Sequence, residues 1–278
     1  MARLLICYDK DPPSANMRHH LLEKRRWEDI GEDDENTYMS CDDNVLMSIS
    51  RKHINAEEID TMAKRFGIDV DEVVFMSRHS AASGRPTLTV HPIGNFKDAE
   101  FGGRPGTLVR STPHLMTDAL RKIKRRNDTT EYSVSFEVTH HGPYLETPTM
   151  FIEIGSEETH WGDMHAAEMM ADAILSMESD ENNPVVIGVG GGHYAPRFTE
   201  LALSHRVDFG HMVPTYQTEG SSDEDVSRMI SDAARMSDTD MVYVHRKSMK
   251  GAEERRINAI IDSLGLRRIS SDELERSV

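Results

Sequence analysis

Short β-rich runs alternate with helix-patterned segments along most of this chain, and that alternation constrains its fold more than any other feature. The runs are 3–8, 73–76, 87–90, 133–139, 150–154, 184–189 and 240–245, β-branched or aromatic and bounded by Gly, Pro, Asn or Ser. Between them, Ile59, Met62, Ala63 and Phe66 recur at helical spacing after Asn55 and before Gly67. Thr112-Pro113 opens a second helix with Leu115, Ala119, Leu120 and Ile123 on one side. Residues 163–177 make a third. Ser222 begins a fourth carrying Val226, Met229, Ile230 and Ala233, and 252–264 make a fifth closed by Gly265. Strands interleaved with helices of this length argue for an α/β sandwich with a mixed, largely parallel sheet. Residues 87–90 and the glycine-rich 101–106 are expected to add an antiparallel piece. Residues 9–38 are polar, contain Pro12-Pro13, and read as an exposed insertion of helix and loop. No linker divides the chain, so 1–278 is expected to form a single α/β domain.

Composition narrows the function classes. With 37% hydrophobic and 29% charged residues over 278 positions, a packed core is expected and wholesale disorder is not. No apolar run reaches the ~20 residues of a membrane span, and the opening Met-Ala-Arg-Leu-Leu-Ile-Cys-Tyr-Asp reads as a first strand, not a secretory signal. Cys7 and Cys41 are too few for a disulfide framework, which fits a cytoplasmic protein. Forty-eight acidic against 32 basic residues give a net charge of −16. Such a chain repels phosphate at long range, which argues against indiscriminate nucleic-acid binding but leaves room for a local basic patch. No obligate protein partner is evident.

The histidines fall at strand ends. His79 follows 73–76, His91 follows 87–90, and 133–139 runs into His140-His141-Gly142-Pro143. Glu153 lies within 150–154, and 184–189 ends in Gly190-Gly191-Gly192-His193-Tyr194. In open α/β sheets the carboxyl ends of strands form the ligand crevice, so these residues can converge although they are far apart in the chain. A single histidine at a strand end is more often a hydrogen-bonded loop residue. His19, His20, His53, His114, His160, His165, His205 and His211 are read that way. Adjacent His140 and His141 point to opposite faces of a strand unless the chain turns, and Gly142-Pro143 supplies a turn. Glu137 lies on the face opposite Val134, Phe136 and Val138, beside Ser135 and Thr139.

Histidines with a carboxylate suit catalytic zinc, though no HExxH or CxxC spacing is present, and metal-free base catalysis by histidine stays open. Glycines 190–192 let backbone N–H groups approach an anion, but the run is neither a P-loop nor a dinucleotide fingerprint. Tyr194 and Arg197 follow immediately. No Gly-x-Ser-x-Gly supports a serine nucleophile; Ser80 and Ser83 are weak candidates. One basic cluster, Arg121, Lys122, Lys124, Arg125 and Arg126, ends the helix begun at Pro113, where cations complement the helix dipole or grip phosphates. His245, Arg246, Lys247 and Lys250 are a second phosphate-contact candidate.

Ser77-Arg78-His79-Ser80, Leu88-Thr89-Val90-His91 with Gly94-Asn95, Ser135 through Pro143, Glu153-Ile154-Gly155-Ser156, and Gly190 through Arg197 together resemble the archaeal and plant type of D-aminoacyl-tRNA deacylase. The resemblance runs from about Ser77 to Lys250. It implies a three-layer α/β/α sandwich with a mixed, largely parallel sheet akin to phosphorylases and zinc peptidases, zinc dependence, a cytoplasmic location, and hydrolysis of the ester between a D-amino acid and the tRNA 3′ end. On that basis zinc is expected among His79, His91, His140, Glu153 and His193, and Glu137 or His141 is expected to take a proton from water. Gly190, Gly191 and Gly192 are expected to hold the oxyanion. Tyr194 and Arg197 are assigned to substrate, and Arg121, Lys122, Lys124, Arg125 and Lys247 to tRNA. The rival readings are a zinc-dependent amidohydrolase or peptidase on the same fold and a non-catalytic RNA-binding protein. The 6% aromatic content and the lack of an RNP-type motif count against the last.

Overall fold

A computed structural model describes residues 2–277. The chain runs β1 (Ala2–Tyr8), α1 (Pro12–Lys24), β2 (Glu28–Glu32), β3 (Asn36–Cys41), β4 (Asn44–Ile49), α2 (Ile59–Ala63), β5 (Val70–Arg78) and β6 (Thr87–Pro92). It continues with α3 (Pro113–Arg126), β7 (Ser133–Phe136), β8 (Thr149–Gly155), α4 (Glu158–Trp161), α5 (Met164–Ile174), β9 (Val185–Val189) and α6 (Pro196–Ser204). The last elements are β10 (Asp208–Val213), α7 (Thr215–Thr218), α8 (Asp223–Met236), β11 (Met241–Val244), α9 (Gly251–Ser263) and β12 (Arg267–Ile269).

The strands divide between two sheets rather than one. The larger has the order β2-β3-β4-β1-β5-β8-β6-β7 and the smaller β10-β9-β11-β12. Pairing is parallel through β4, β1, β5 and β8, between β6 and β7, and throughout the smaller sheet. It is antiparallel between β6 and β8, as expected for 87–90, and along β2-β3-β4. No strand forms at 101–106. The run expected as a strand to 139 is regular only to Phe136. Glu137 N still bonds Val90 O at 3.0 Å, but Val138 N turns to His193 O at 2.9 Å and Thr139 N to Met212 O at 3.2 Å. This handover joins the two sheets and delivers Glu137 to their seam.

Alternation along β1 explains the layers. Leu5 and Cys7 face one core and Leu4 and Ile6 the other, so both sides of the central strand are buried. The first core packs against α1, α3, α5 and α6 and crosses both sheets, from Leu5 and Ile152 to Phe198 and Phe209. On the opposite face α2 covers Val73, Phe75 and Phe151, while α8 and α9 cover Ile187, Val189 and Val213. The result is the α/β/α sandwich expected, with a largely parallel strand arrangement. Each fully buried Leu, Ile or Val contributes about 1.5–3 kcal/mol.

Local signals hold where caps are explicit. The Asp163 carboxylate accepts from the N–H groups of His165 and Ala166 at the start of α5, and Ser222 accepts from Asp225 N at the start of α8. The expected helix at 55–66 is broken into α2 flanked by 3₁₀ turns, and Gly67 ends it at φ +70°.

Residues 9–38 are not an exposed insertion. Met17 and Leu21 of α1 are fully buried, Trp27 Nε1 donates to Leu21 O at 2.8 Å, and Tyr38 in β3 is buried against Phe66. The apolar stripe is only one residue per turn wide, so the surrounding charge masks it. The expected loop is instead an edge hairpin, β2-β3, whose outer strand is almost wholly exposed.

Candidate active site

Five histidines and two glutamates meet at the ends of β5 and β6, beside β8 and the sheet seam; His79, His140, His141, His193 and Glu153 line a cavity of about 460 Å³, and His91 and Glu137 are buried behind them. Glu153 projects from the middle of β8, between Ser77 of β5 and Thr89 of β6. His91 comes from β6, His79 from the residue after β5, and His193 from the loop between β9 and α6. His79 Nδ1 lies 3.1 Å from Glu137 Oε1 and 3.6 Å from Glu153 Oε2. His91 Nε2 is 3.6 Å from Glu153 Oε2, His140 Nε2 is 3.5 Å from Glu137 Oε2, and His193 Nε2 is 2.9 Å from that same oxygen. Tyr194 places its hydroxyl 3.0 Å from His79 Nε2.

Both neighbours in the pair His140-His141 reach the cavity because the strand does not continue through them. His141 adopts φ +45°, a left-handed conformation that costs a non-glycine residue on the order of 1 kcal/mol. Gly142 then packs so closely on Gly102 and Gly103 that no side chain fits there.

The proton positions on three rings follow from their partners. A carbonyl oxygen only accepts, so Nδ1 of His140 donates to Val138 O at 2.7 Å, Nδ1 of His141 to Gly142 O at 2.7 Å, and Nδ1 of His91 to Pro92 O at 3.2 Å. Each ring therefore turns Nε2 toward the cavity, and for His91 and His140 that nitrogen faces a carboxylate oxygen. A nitrogen and a carboxylate oxygen facing each other need a proton or a metal cation between them. Both Glu137 oxygens and His91 Nε2 are buried and make no hydrogen bond, and His193 is close to Glu137 without the alignment of one. This is the arrangement of metal-binding histidines, whose outer N–H groups are held by backbone carbonyls. Three sets of donor atoms lie close enough to share an ion: His91, His140 and His141; His79, Glu137 and His193; His91, Glu137 and Glu153. The donor set fits zinc.

Electrostatics agree with the crowding. Burial pushes the Glu137 and Glu153 carboxyls up, yet the imidazoles around them outweigh burial and hold both well below the usual carboxylate range. Burial lowers His79 and His91, but the two glutamates raise them above the ordinary histidine value. Burial and the nearby His91 push His140 well down and bring His141 to about 4, so both rings stay neutral at pH 7.

Several expected assignments do not hold. The Gly190 N–H bonds Val213 O at 2.8 Å, and the Gly191 N–H bonds Thr215 Oγ1 at 3.0 Å and Ser248 Oγ at 2.8 Å, so neither is free for an oxyanion. Their φ values of +100° and +86° and the close approach of Met249, Ser248 and His245 explain the glycines instead. Gly192 is exposed and does not line the cavity. Arg197 is turned away: it bonds Tyr243 and Glu200 and lines a second cleft with His245, Arg246 and Lys247. Arg121 is committed to structure. Its guanidinium donates to Asp208 at 2.9 Å and to the carbonyls of Ala202, His205 and Val207. Lys122 is held by Asp118 and Ser176 O. Lys124 and Arg125 are exposed but lie outside the cavity.

The cavity also holds residues that the sequence reading passed over. Tyr8, Lys10, Asp11, Lys52, His53, Arg78 and Phe101 line it. His53 stands edge-on to Phe75 and Phe151, and burial holds it near 3. Asp11 accepts from Arg78 N at 2.9 Å, and burial raises its carboxyl to about 7 despite that guanidinium 3.4 Å away. The one available signal was position: Lys10 and Asp11 come soon after β1 and Arg78 ends β5, central strands of the larger sheet.

The family model for D-aminoacyl-tRNA deacylase matches residues 66–269. A protein of Methanococcoides burtonii named D-aminoacyl-tRNA deacylase is 38% identical over 272 residues, which is 96% of this chain and 56% of that protein. The chain thus spans little more than half of that relative. The proteins of the same name from Methanosarcina mazei and Archaeoglobus fulgidus are 34% and 32% identical, with 98% and 99% of this chain covering 93% and 98% of theirs. A solved structure described as a conserved protein of unknown function superposes with a TM-score of 0.89 at 32% identity, over 100% of this chain and 99% of the other. On the matched span, the identities and the shared fold, the chain belongs to the D-aminoacyl-tRNA deacylase family.

Proposed function

We propose that this protein hydrolyses the ester joining a D-amino acid to the 3′ end of tRNA, releasing free tRNA and the D-amino acid. The observation that carries this reading is the convergence of His79, His91, His140, His141 and His193 on Glu137 and Glu153 at the floor of one cavity, in a chain of this family. Ester hydrolysis needs an activated water and charge stabilisation but no nucleotide cofactor, and the cavity is built for that.

Zinc would be held by some of His79, His91, His140, His193 and Glu153, with Glu137 in two of the three donor sets close enough to share an ion. Zinc bound there supplies a Lewis acid and lowers the pKa of water toward ~7. His141 takes the proton of the attacking water at Nε2, whose lone pair is free because Nδ1 is bonded to Gly142 O. The same nitrogen returns the proton to the 3′ oxygen as it leaves. Glu137 stays ionised and faces the rings of His79, His140 and His193, balancing positive charge among them. Tyr194 holds the outer nitrogen of His79. Lys10, Lys52 and Arg78 supply positive charge on the cavity wall for the last phosphodiester, which an otherwise acidic chain must provide locally. A tRNA substrate fits a cytoplasmic location, and no helix among the described residues is long and apolar enough to cross a membrane.

Incubation of the purified protein with matched D- and L-aminoacyl-tRNA, with and without a chelator, tests the reading. Release of D-amino acid that stops with chelator is expected. Cleavage of acyl amides with indifference to tRNA would replace the proposal with an amidohydrolase.

A further inference from the structure

Phe101 is the most exposed large apolar side chain described, at 64%. A single exposed ring on a mobile loop needs no explanation, but this loop is fixed on every side. The Phe101 carbonyl accepts from Gly142 N at 3.1 Å, and Asn95 Nδ2 donates to Gly102 O at 2.9 Å and to Arg104 O at 3.4 Å. Gly102 and Gly103 sit at φ +76° and +78°, packed so tightly on Ile54 and Gly142 that a Cβ on either would collide. The backbone is therefore locked, and Phe101, largely exposed, lines the same cavity as His140, His141 and His193.

We infer that Phe101 is the platform on which the nucleobase at the tRNA 3′ end stacks while the ester lies at the histidines. The inference rests on the deacylase reading above and names a subsite within it. A nucleobase offers a flat face to an aromatic ring whatever its identity, and such stacking carries much of the affinity of single-stranded ends. Charge points to the same occupant. Phe101 lines the same cavity as Lys10 and Lys52, with His53 and Ile54 beside Lys52 in the chain. A planar base with a phosphodiester beside it satisfies both the ring and the lysines, whereas an amino-acid side chain meets only the ring.

The test compares D-alanyl-tRNA, whose methyl side chain is too small to reach the rim, with D-alanine methyl ester, which has no base. Phe101→Ala should raise KM for the tRNA by roughly 5- to 150-fold relative to its effect on the methyl ester. Phe101→Trp should restore KM. An equal effect on both substrates, or no effect on the tRNA, would overturn the inference. Equilibrium binding of adenosine monophosphate separates this inference from the deacylase reading, because it needs no turnover. Phe101→Ala should weaken that binding by a similar factor even if the wild-type protein proves inactive on tRNA, and unchanged binding would count against a base subsite.

Discussion

His193 Nε2 stands 2.9 Å from Glu137 Oε2 across the seam between the two sheets, and Val138 N, the next residue along, bonds His193 O. One backbone contact and one side-chain contact thus tie the loop after β9 to the chain after β7. Glu137 is completely buried, so this carboxylate serves the imidazoles around it rather than solvent.

Glu137→Gln should leave the fold intact, since the amide is isosteric, but should lower kcat by at least ~10²-fold. His141→Gln should lower kcat by a similar factor while leaving zinc content unchanged, whereas Glu137→Gln should also reduce it. Circular dichroism, metal analysis and steady-state kinetics on the two variants check this. Normal kcat in His141→Gln would remove it as the proton acceptor.

Chelation should lower thermal stability as well as activity, because an ion that binds only the folded state stabilises it by about 2.7 kcal/mol at a hundredfold excess over Kd. Zinc added back to the stripped protein should raise Tm, and should raise it much less in a His91→Ala, Glu153→Ala double variant. Calorimetry reads this without reference to turnover.

Arg121→Ala should destabilise the protein by about 1.5–3 kcal/mol, because the buried Asp208 carboxylate loses its guanidinium partner, though it keeps His114 and Asn183, and three carbonyls lose a donor. Its KM for tRNA should be unchanged. Lys52→Ala should do the reverse, raising KM and reducing the salt dependence of tRNA binding by about one phosphate contact. Urea unfolding and salt titration separate the two.

The basic cluster at 121–126 shows what a sequence hides. Its charge was legible, but whether a cation faces solvent or the C-terminal end of α6 depends on tertiary packing, and Arg121 and Lys122 are consumed internally. The histidines were legible for the opposite reason. Strand runs such as 87–90 and 150–154 are strongly patterned, so their ends could be located and with them His91 and Glu153. Strand β10 was missed because Gly210 and His211 interrupt its apolar run, and the burial of the helix expected within 9–38 because its apolar stripe is reduced to Met17 and Leu21. The glycine run misled, since exposure of an N–H group cannot be read from composition: two of its three amides are spent on Val213, Thr215 and Ser248.

His211 makes stability fall in mild acid. It is fully buried, its Nε2 donates to Val109 O at 2.8 Å, and its Nδ1 accepts from the Thr139 hydroxyl at 3.0 Å, so only the neutral ring fits. Burial lowers its pKa from 6.5 to about 4. The unfolded chain binds the proton near 6.5 and the folded one only near 4. This contribution is therefore intact above pH 6.5 and is lost as pH falls to 4, by about 3 kcal/mol. His211→Gln should flatten the pH dependence of urea unfolding over that window, even though it lowers stability at pH 7.

The handover of the chain after Phe136 has a mechanical consequence. Because the reactive groups are contributed by both sheets, the pocket is a hinge pin rather than a cup: a parting of the sheets by little more than one bond length would separate His193 from Glu137 while each sheet kept its own strand pairing. Catalytic competence would then be the first property surrendered on warming, well ahead of helix and strand content, and anything clamping the join would act as a thermal safeguard for the reaction alone.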